Sequence, residues 1–316
     1  MSNTSNKSLF RLPVLQTVEE QPKTIPNAFS SEKEITVLNI PVFPTGKDSI
    51  SYSEINTWQG CGWRHKLRYI DKIDLDKKSD DILIGEIVHA YFENFIKDRK
   101  FLTKQGVIDF LKEEWNGLVD KEKLPKEIAK AEDMLEENTI IQDIVKAFPA
   151  WLESEFPKWE FVNAEELLFE TIEGVVIDDV TVEIKFKGYI DAIIRVADSS
   201  AVSGYKYHII DWKTTRYWSK EKRADFFTRL QLALYKMFWS KKHEIPLEDI
   251  FCHFGLVKKQ NKKEWFELFT VEIDESMMIK SLKTVRSMIK TVMAGKFFKN
   301  KDSCQWCVYK KTVWCP

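Results

Sequence analysis

Two short apolar segments that each end in a lone carboxylate constrain this chain more than any other feature. In Gly188-Tyr189-Ile190-Asp191 and Ile209-Ile210-Asp211-Trp212-Lys213, an aspartate interrupts a run of β-branched and aromatic residues of the kind that forms buried strands. A carboxylate there costs free energy unless a cation, a proton or hydrogen-bond donors meet it. Side chains alternate along a strand, so Asp211 and Lys213 point the same way, and an adjacent strand carrying Asp191 sets its carboxylate beside Asp211. Two carboxylates so close repel unless a cation sits between them, and hard divalent ions such as Mg2+ or Mn2+ take oxygen ligands. Such an ion polarises a phosphodiester oxygen and lowers the pKa of a bound water, while Lys213 orients that water or neutralises charge developing on phosphorus. The constellation reads as metal-assisted phosphodiester hydrolysis. The competing reading is an ion pair between Asp211 and Lys213 at strand ends, and a bare D-x-K does not separate the two.

The rest of the chain supplies the context. Residues 1–47 are polar, proline-punctuated and without sustained period, which predicts a flexible lead-in with one short strand at Ile35 to Val42. A helix capped by Ser51 or Ser53 is expected to run to about Tyr69, and a stronger one from Ile82 to Lys97 with Ile84, Val88, Tyr91, Phe92 and Phe95 at helical spacing. Residues 101–158 read as two or three inserted helices. Strands are expected at about 161–170, 181–196 and 205–213, a helix from Arg223 to Ser240, strands at Phe251 to Lys258 and Glu264 to Ile273, and a last helix from Ser276 to Ala294. That order predicts an α/β core with a mixed central sheet and helices on its faces, forming one domain over residues 48–316.

Lysine and arginine total 48 against 49 acids, so nothing in the formal charge of -1 draws the whole molecule to nucleic acid, and any contact with it must be local. No basic start with an apolar run follows Met1, and no stretch approaches a membrane span, so the expectation is a cytoplasmic protein of a bacterial cell or phage-infected host with no membrane partner.

Four blocks occur in a fixed order: Gly85-Glu86-Ile87-Val88-His89 on a helix, Gly188 to Asp191, Ile210-Asp211-Trp212-Lys213-Thr214, and Gln231-Leu232-Ala233-Leu234-Tyr235. Over roughly residues 50–316 this order resembles the RecB-like branch of the PD-(D/E)XK nucleases, where G-x-x-x-H, G-x-x-D, D/E-x-K-T and Q-x-x-x-Y blocks build one active site. The resemblance implies a restriction-endonuclease-like core with a helical insertion at about 101–158. It implies His89, Asp191 and Asp211 as metal ligands, Lys213 as the catalytic lysine, and a reach of the Trp212 main-chain carbonyl to the same metal. Gln231 and Tyr235, four apart on one helix face, are implied to support the site near the DNA backbone. The family's Pro-Asp pair is here Ile190-Asp191. Taken alone, His89 on a largely apolar helix reads more often as a hydrogen-bonded core histidine than as a ligand, and the ordered neighbours reverse that. Glu165 and Glu166 are set aside as solvated acids at a strand start.

Five cysteines without an export signal argue against a disulfide framework. Cys304-Gln305-Trp306-Cys307 with Cys315 suits thiolate ligation of either Zn2+ or an iron-sulfur cluster, and a fourth ligand must come from elsewhere. AddB-type iron-sulfur nucleases carry one cysteine before the histidine block and three after the last core helix. That resemblance implies a structural 4Fe-4S cluster on Cys61, Cys304, Cys307 and Cys315, closing residues 296–316 onto Cys61. Trp63, Trp306 and Trp314 near the chain ends read equally as shields for it or as plain packing. Zinc is the alternative, and Cys252 reads as a core thiol. After the catalytic lysine, Arg216, Tyr217, Trp218, Lys220, Lys222 and Arg223 mix cations with rings able to stack on unpaired bases, and Lys258, Lys259, Lys262 and Lys263 form a second basic patch. The expected activity is a Mg2+- or Mn2+-dependent DNA exonuclease working at ends or on single strands in recombination, repair or replication, and a phage origin suits the compact layout. Other classes are a non-catalytic DNA-end scaffold on a nuclease fold and a redox protein centred on the cysteines.

Overall fold

A computed structural model describes residues 42–73, 75, 79–116, 122–260, 264–305 and 307–316. The expected strand at Ile35 to Val42 lies, all but Val42, outside the described residues, as do Lys262, Lys263 and Trp306. Phe43 and Thr45 are buried, so the packed body starts several residues earlier than the lead-in expected over residues 1–47 allows.

Strand β1 (Ser49–Ser51) runs into helices α1 (Tyr52–Gly60) and α2 (Gly62–His65). The single helix expected to reach Tyr69 is broken at Cys61, whose φ of -166° is extended, and residues 66–70 form a wider π turn. Ser79 accepts a hydrogen bond from the Ile82 amide and starts α3 (Asp80–Asp98). Helices α4 (Lys104–Glu114), α5 (Leu124–Glu137) and α6 (Thr139–Glu155) make up the insertion, with Thr103 and Asn138 capping the first and last. Then come β2 (Glu160–Thr171), a small hairpin β3 (Val176–Ile177) and β4 (Val180–Thr181), β5 (Lys185–Ala197) and β6 (Tyr205–Thr215). The strand expected from 181 therefore starts at Lys185, because Thr181 belongs to the hairpin. A short α7 (Lys220–Ala224) takes up Arg223, so the longer α8 (Phe226–His243) begins at its own Asp225 cap. Strands β7 (Ile250–Lys258) and β8 (Phe266–Val271) and helix α9 (Glu275–Met293) complete the order.

The six-stranded sheet is mixed, in the order β1-β5-β6-β7-β8 with β2 on the other edge of β5. Pairing is parallel for β1 with β5 and β6 with β7, and antiparallel elsewhere. One face packs on α8 and α9 through residues such as Ile190, Ile209, Leu234, Phe254 and Met288. The other packs on α3 and the inserted helices through Val88, Phe92, Phe148, Ile194, Ile210 and Trp212. Coverage on both faces is why the central strands read as continuous apolar runs rather than alternating ones.

Two partners share one edge of β5. Strand β1 pairs with residues 185–187 and β6 with residues 192–197, so residues 188–191 have neither neighbour. The sheet forks there, and the fork carries Asp191.

Candidate active site

Pairing of β5 with β6 ends at Ala192 opposite Ile210, one residue before Asp191 and Asp211. Beyond that point β6 has lost its partner on this side, and its Trp212 amide donates instead to Asp191 Oδ2 at 2.6 Å. The Trp212 indole fixes the exposed strand end from the opposite face. It meets Phe92 and Phe148 edge-on, with ring centroids 5.2 and 5.5 Å away, and sits over Gly255, its partner on β7. A Cβ at Gly255 would fall inside that ring. Gly255→Ala is therefore expected to destabilise the protein by about 1–3 kcal/mol through overpacking and to misplace the flanking Asp211 and Lys213. Thermal melting together with a DNA cleavage assay checks this, since a merely tolerant core would show neither loss.

Asp211 is 1% exposed. Gln231 Nε2 donates to its Oδ1 at 2.9 Å and to the Tyr235 hydroxyl at 3.0 Å. Its Oδ2 faces the Lys213 ammonium at 2.5 Å. Two of the four sequence blocks carry a glycine, and each lets a neighbour approach. A Cβ at Gly188 would come within 2.8 Å of the Tyr235 ring, and one at Gly85 within 3.0 Å of Thr214 Oγ1. These two glycines thus leave room for the terminal residues, Tyr235 and Thr214, of the other two blocks.

His89, on α3, lies with Nε2 3.2 Å from the Trp212 carbonyl oxygen and Nδ1 3.7 Å from Asp191 Oδ2. Among the described residues, the group of three or more His, Cys, Asp or Glu ligand atoms within 4.8 Å of one another is His89, Glu165 and Asp191. The expectation for Glu165 is a solvated acid at a strand start. It lies instead between the partnered residues Ala164 and Glu166, which pair with Ala192 and Ile190, and so stands opposite Asp191. Its φ of 49° marks a local kink in β2. The adjacent pair Glu165-Glu166 at mid-strand was the available signal, and the strand register was the missing information. Glu166 points to the other face, where Trp239 Nε1 and Lys242 Nζ donate to it at 2.9 and 2.8 Å.

Burial pushes the Asp211 carboxyl up to about 6, against the pull of Lys213 and with repulsion from Asp191. Burial likewise raises Asp191, and loss of solvation plus the charge of Asp191 raises Glu165. Burial, with help from Lys213, lowers His89 to about 4, so its imidazole is neutral at neutral pH and can present a lone pair. Although burial disfavours the Lys213 charge, Asp211 and Asp191 outweigh it and hold the ammonium protonated. A surplus of buried anionic oxygen beside a neutral imidazole and a backbone carbonyl is a donor set suited to a hard divalent ion.

The basic loop divides. Arg216 and Tyr217 are exposed, Tyr217 at 74%, whereas Trp218 is buried against Phe254, 4.9 Å between ring centroids. Trp218 is thus a core residue and not the free stacking ring expected of it, because the loop folds back over β7. Arg223 pairs with Glu267. Lys258 also pairs with Glu267, at 2.9 Å, and Lys259 with Asp81 at 2.6 Å, so the two described members of the second basic patch are spent on structure.

Cys61, Cys304, Cys307 and Cys315 line one cavity of about 450 Å³ together with Trp63 and Tyr309. Cys61 also accepts from the Asn300 amide at 3.4 Å, and Trp63 Nε1 donates to the Trp314 carbonyl at 3.1 Å, tying the chain end to α2. Cys252 is 1% exposed and burial pushes its thiol up to about 12, as suits a core residue.

Comparison with curated proteins finds no match. Among solved structures, the chain is similar to a Eubacterium rectale protein described as a "Putative exonuclease", with 15% identity, a TM-score of 0.46, and 89% of this chain and 96% of that one covered. It is also similar to the protein solved as SSO0001, at 13% identity and a TM-score of 0.30, covering 78% and 92% of the two chains. The sequence profile of the PD-(D/E)XK nuclease superfamily matches residues 49–316, which takes in every site residue described above. The chain belongs to the PD-(D/E)XK nuclease superfamily.

Proposed function

We propose that the protein is a Mg2+- or Mn2+-dependent deoxyribonuclease that hydrolyses phosphodiester bonds at DNA ends. The observation that carries this reading is the bracket at the fork: the Trp212 amide held by Asp191, its carbonyl facing His89, and Asp211 and Lys213 on either side. His89, Asp191, Asp211 and the Trp212 carbonyl are the residues that would hold the metal, and Glu165 stands close enough to His89 and Asp191 to add a carboxylate. When bound, such an ion supplies charge against a phosphodiester oxygen and a water acidic enough to attack at neutral pH. Lys213 supplies the donor for the attacking water or for charge that develops on phosphorus, and Asp211 keeps its ammonium protonated. Gln231 and Tyr235 orient Asp211.

End-labelled linear DNA, single-stranded and duplex, incubated with Mn2+ tests the reading. Release of short products from the labelled end is expected from wild type and not from Asp211→Asn. Equal degradation by both leaves a DNA-end scaffold as the better account.

The four clustered thiols support a structural 4Fe-4S cluster as a second cofactor. A single zinc at a Zn–S distance of about 2.3 Å draws its four sulfurs to about 3.8 Å from one another. The cavity these thiols line, about 450 Å³, has room for a guest larger than one ion. Closing Cys61 onto residues more than two hundred positions later removes much loop entropy from the unfolded chain. Anaerobically purified protein is expected to be brown and to contain iron. Cys307→Ser is expected to lose the colour and several degrees of melting temperature. Colourless wild-type protein containing zinc sinks the cluster assignment without touching the nuclease one.

A further inference from the structure

The sheet face that carries Glu165 and Asp191 continues outward along β2 and β5. The next pair on that face is Leu167 opposite Tyr189, and the one after it is Phe169 opposite Lys187. Strand alternation sends Leu168, Phe186 and Ile190 into the core and leaves Leu167, Tyr189 and Phe169 at 40, 45 and 37% exposed. Cations accompany the rings: the Lys187 ammonium lies over the Tyr189 ring, 5.7 Å from its centroid, and that of Lys185 over Phe169 at 4.6 Å, so a base that stacks there displaces a flexible lysine toward its phosphate. Folding alone gives no reason for a row of large apolar side chains on a solvent face, and a contiguous row marks a contact surface.

We propose that this row is a stacking platform for a single DNA strand, which it leads to the fork. The inference rests on the DNA-nuclease reading above and names the substrate form that the site takes. Residues two apart on a strand are about 7 Å apart, the reach of one nucleotide in an extended, unstacked strand. Rings offer faces to bases of any sequence, and the adjacent ammonium groups match the phosphates between them. A closed duplex keeps its base faces stacked and has nothing to offer these rings. The same lysines argue against an apolar protein partner, because burying them unpaired would cost more than the rings return.

Binding is read apart from cleavage by anisotropy of a fluorescent single-stranded oligonucleotide in Ca2+, with the full-length protein. Tyr189→Ala and Phe169→Ala are each expected to weaken it about 5–100-fold, and blunt duplex binding less than twofold. Lys187→Ala is expected to lower the slope of log affinity against log salt by about 0.7. Photo-crosslinking of wild type to a 5-iodouracil oligonucleotide, which needs no variant to fold, is expected to label the peptide containing Tyr189 or Phe169. Unchanged affinities with crosslinks elsewhere overturn the proposal, as does a wild type that binds no single strand. Loss of self-association in Tyr189→Ala with DNA binding intact also overturns it and assigns the row to a second copy. Strand binding on this row by a wild type that cleaves no DNA with Mn2+ sinks the nuclease reading and leaves the platform standing.

Discussion

Asp211→Asn and Lys213→Ala each lower single-turnover cleavage of end-labelled linear DNA by about a thousandfold in saturating Mn2+, with the fold intact. The expectation follows from how the two side chains share one task. Lys213 is the ammonium at the centre, and it stays protonated because Asp211 stands 2.5 Å away and Asp191 lies nearby. Removing a preorganised donor from a shielded site costs about a hundred- to a thousandfold in rate, and loss of an anionic metal ligand adds to that. Asn at 211 keeps the shape, so the Gln231 and Tyr235 arrangement around it can persist. Because the pair acts as a unit, the double variant should be scarcely slower than either single one. Retention of activity within a few-fold in either variant, with circular dichroism unchanged, would remove these residues from the chemistry.

The second large effect is on stability. Asp211 is nearly buried, and its carboxyl in the folded chain is raised to about 6 from an ordinary value near 4. A group whose pKa is raised on folding binds its proton more tightly in the native state than in the unfolded one. Its contribution is therefore fully present below about pH 4 and is lost as pH rises through about 6. A shift of about two units corresponds to about 3 kcal/mol for Asp211 alone, and Asp191 and Glu165, both raised, act in the same direction. Metal-free protein should thus melt about 5–10 °C lower at pH 8 than at pH 5. Mn2+ at about a hundred times its dissociation constant restores about 3 kcal/mol at pH 8. Asp211→Asn removes the buried charge, so it should flatten the pH dependence, raise the metal-free melting temperature at pH 8, and blunt the response to Mn2+. Glu165→Gln should share the first two effects more weakly. Scanning calorimetry in EDTA and in Mn2+ across this range decides the matter, and a metal-free protein equally stable at pH 5 and pH 8 would contradict the strained cluster.

Local chemistry made much of this molecule readable before any coordinates. Asp211 and Lys213 had to share a strand face because the side-chain period of a strand is two, and Gln231 and Tyr235 a helix face because residues four apart stack. Ser51, one of the two caps expected, accepts from the Glu54 amide and starts α1 by the same short-range logic. Elements set by such patterns came out within a few residues of their expected ends. The break at Cys61 did not, although Gly60 and Gly62 flank it and weaken a helix there, and its extended backbone comes with contacts to Phe298 and Asn300 far along the chain.

What depended on register and packing could only be seen in three dimensions. Glu165 joins His89 and Asp191 because β2 pairs with β5 in one register and kinks at that residue, and a shift by one would have turned it away. Trp218, in a loop that reads as a basic aromatic arm, is drawn into the core because Phe254 and Phe269 offer it apolar surface. The fork itself follows from which strands share an edge of β5, a matter of topology. Residue order alone tells which groups carry charge and which neighbours along a helix or strand point together, for these are consequences of short-range periodicity. Tertiary structure decided which of those groups meet, because contacts between distant segments depend on register, and on the burial energy that selects it.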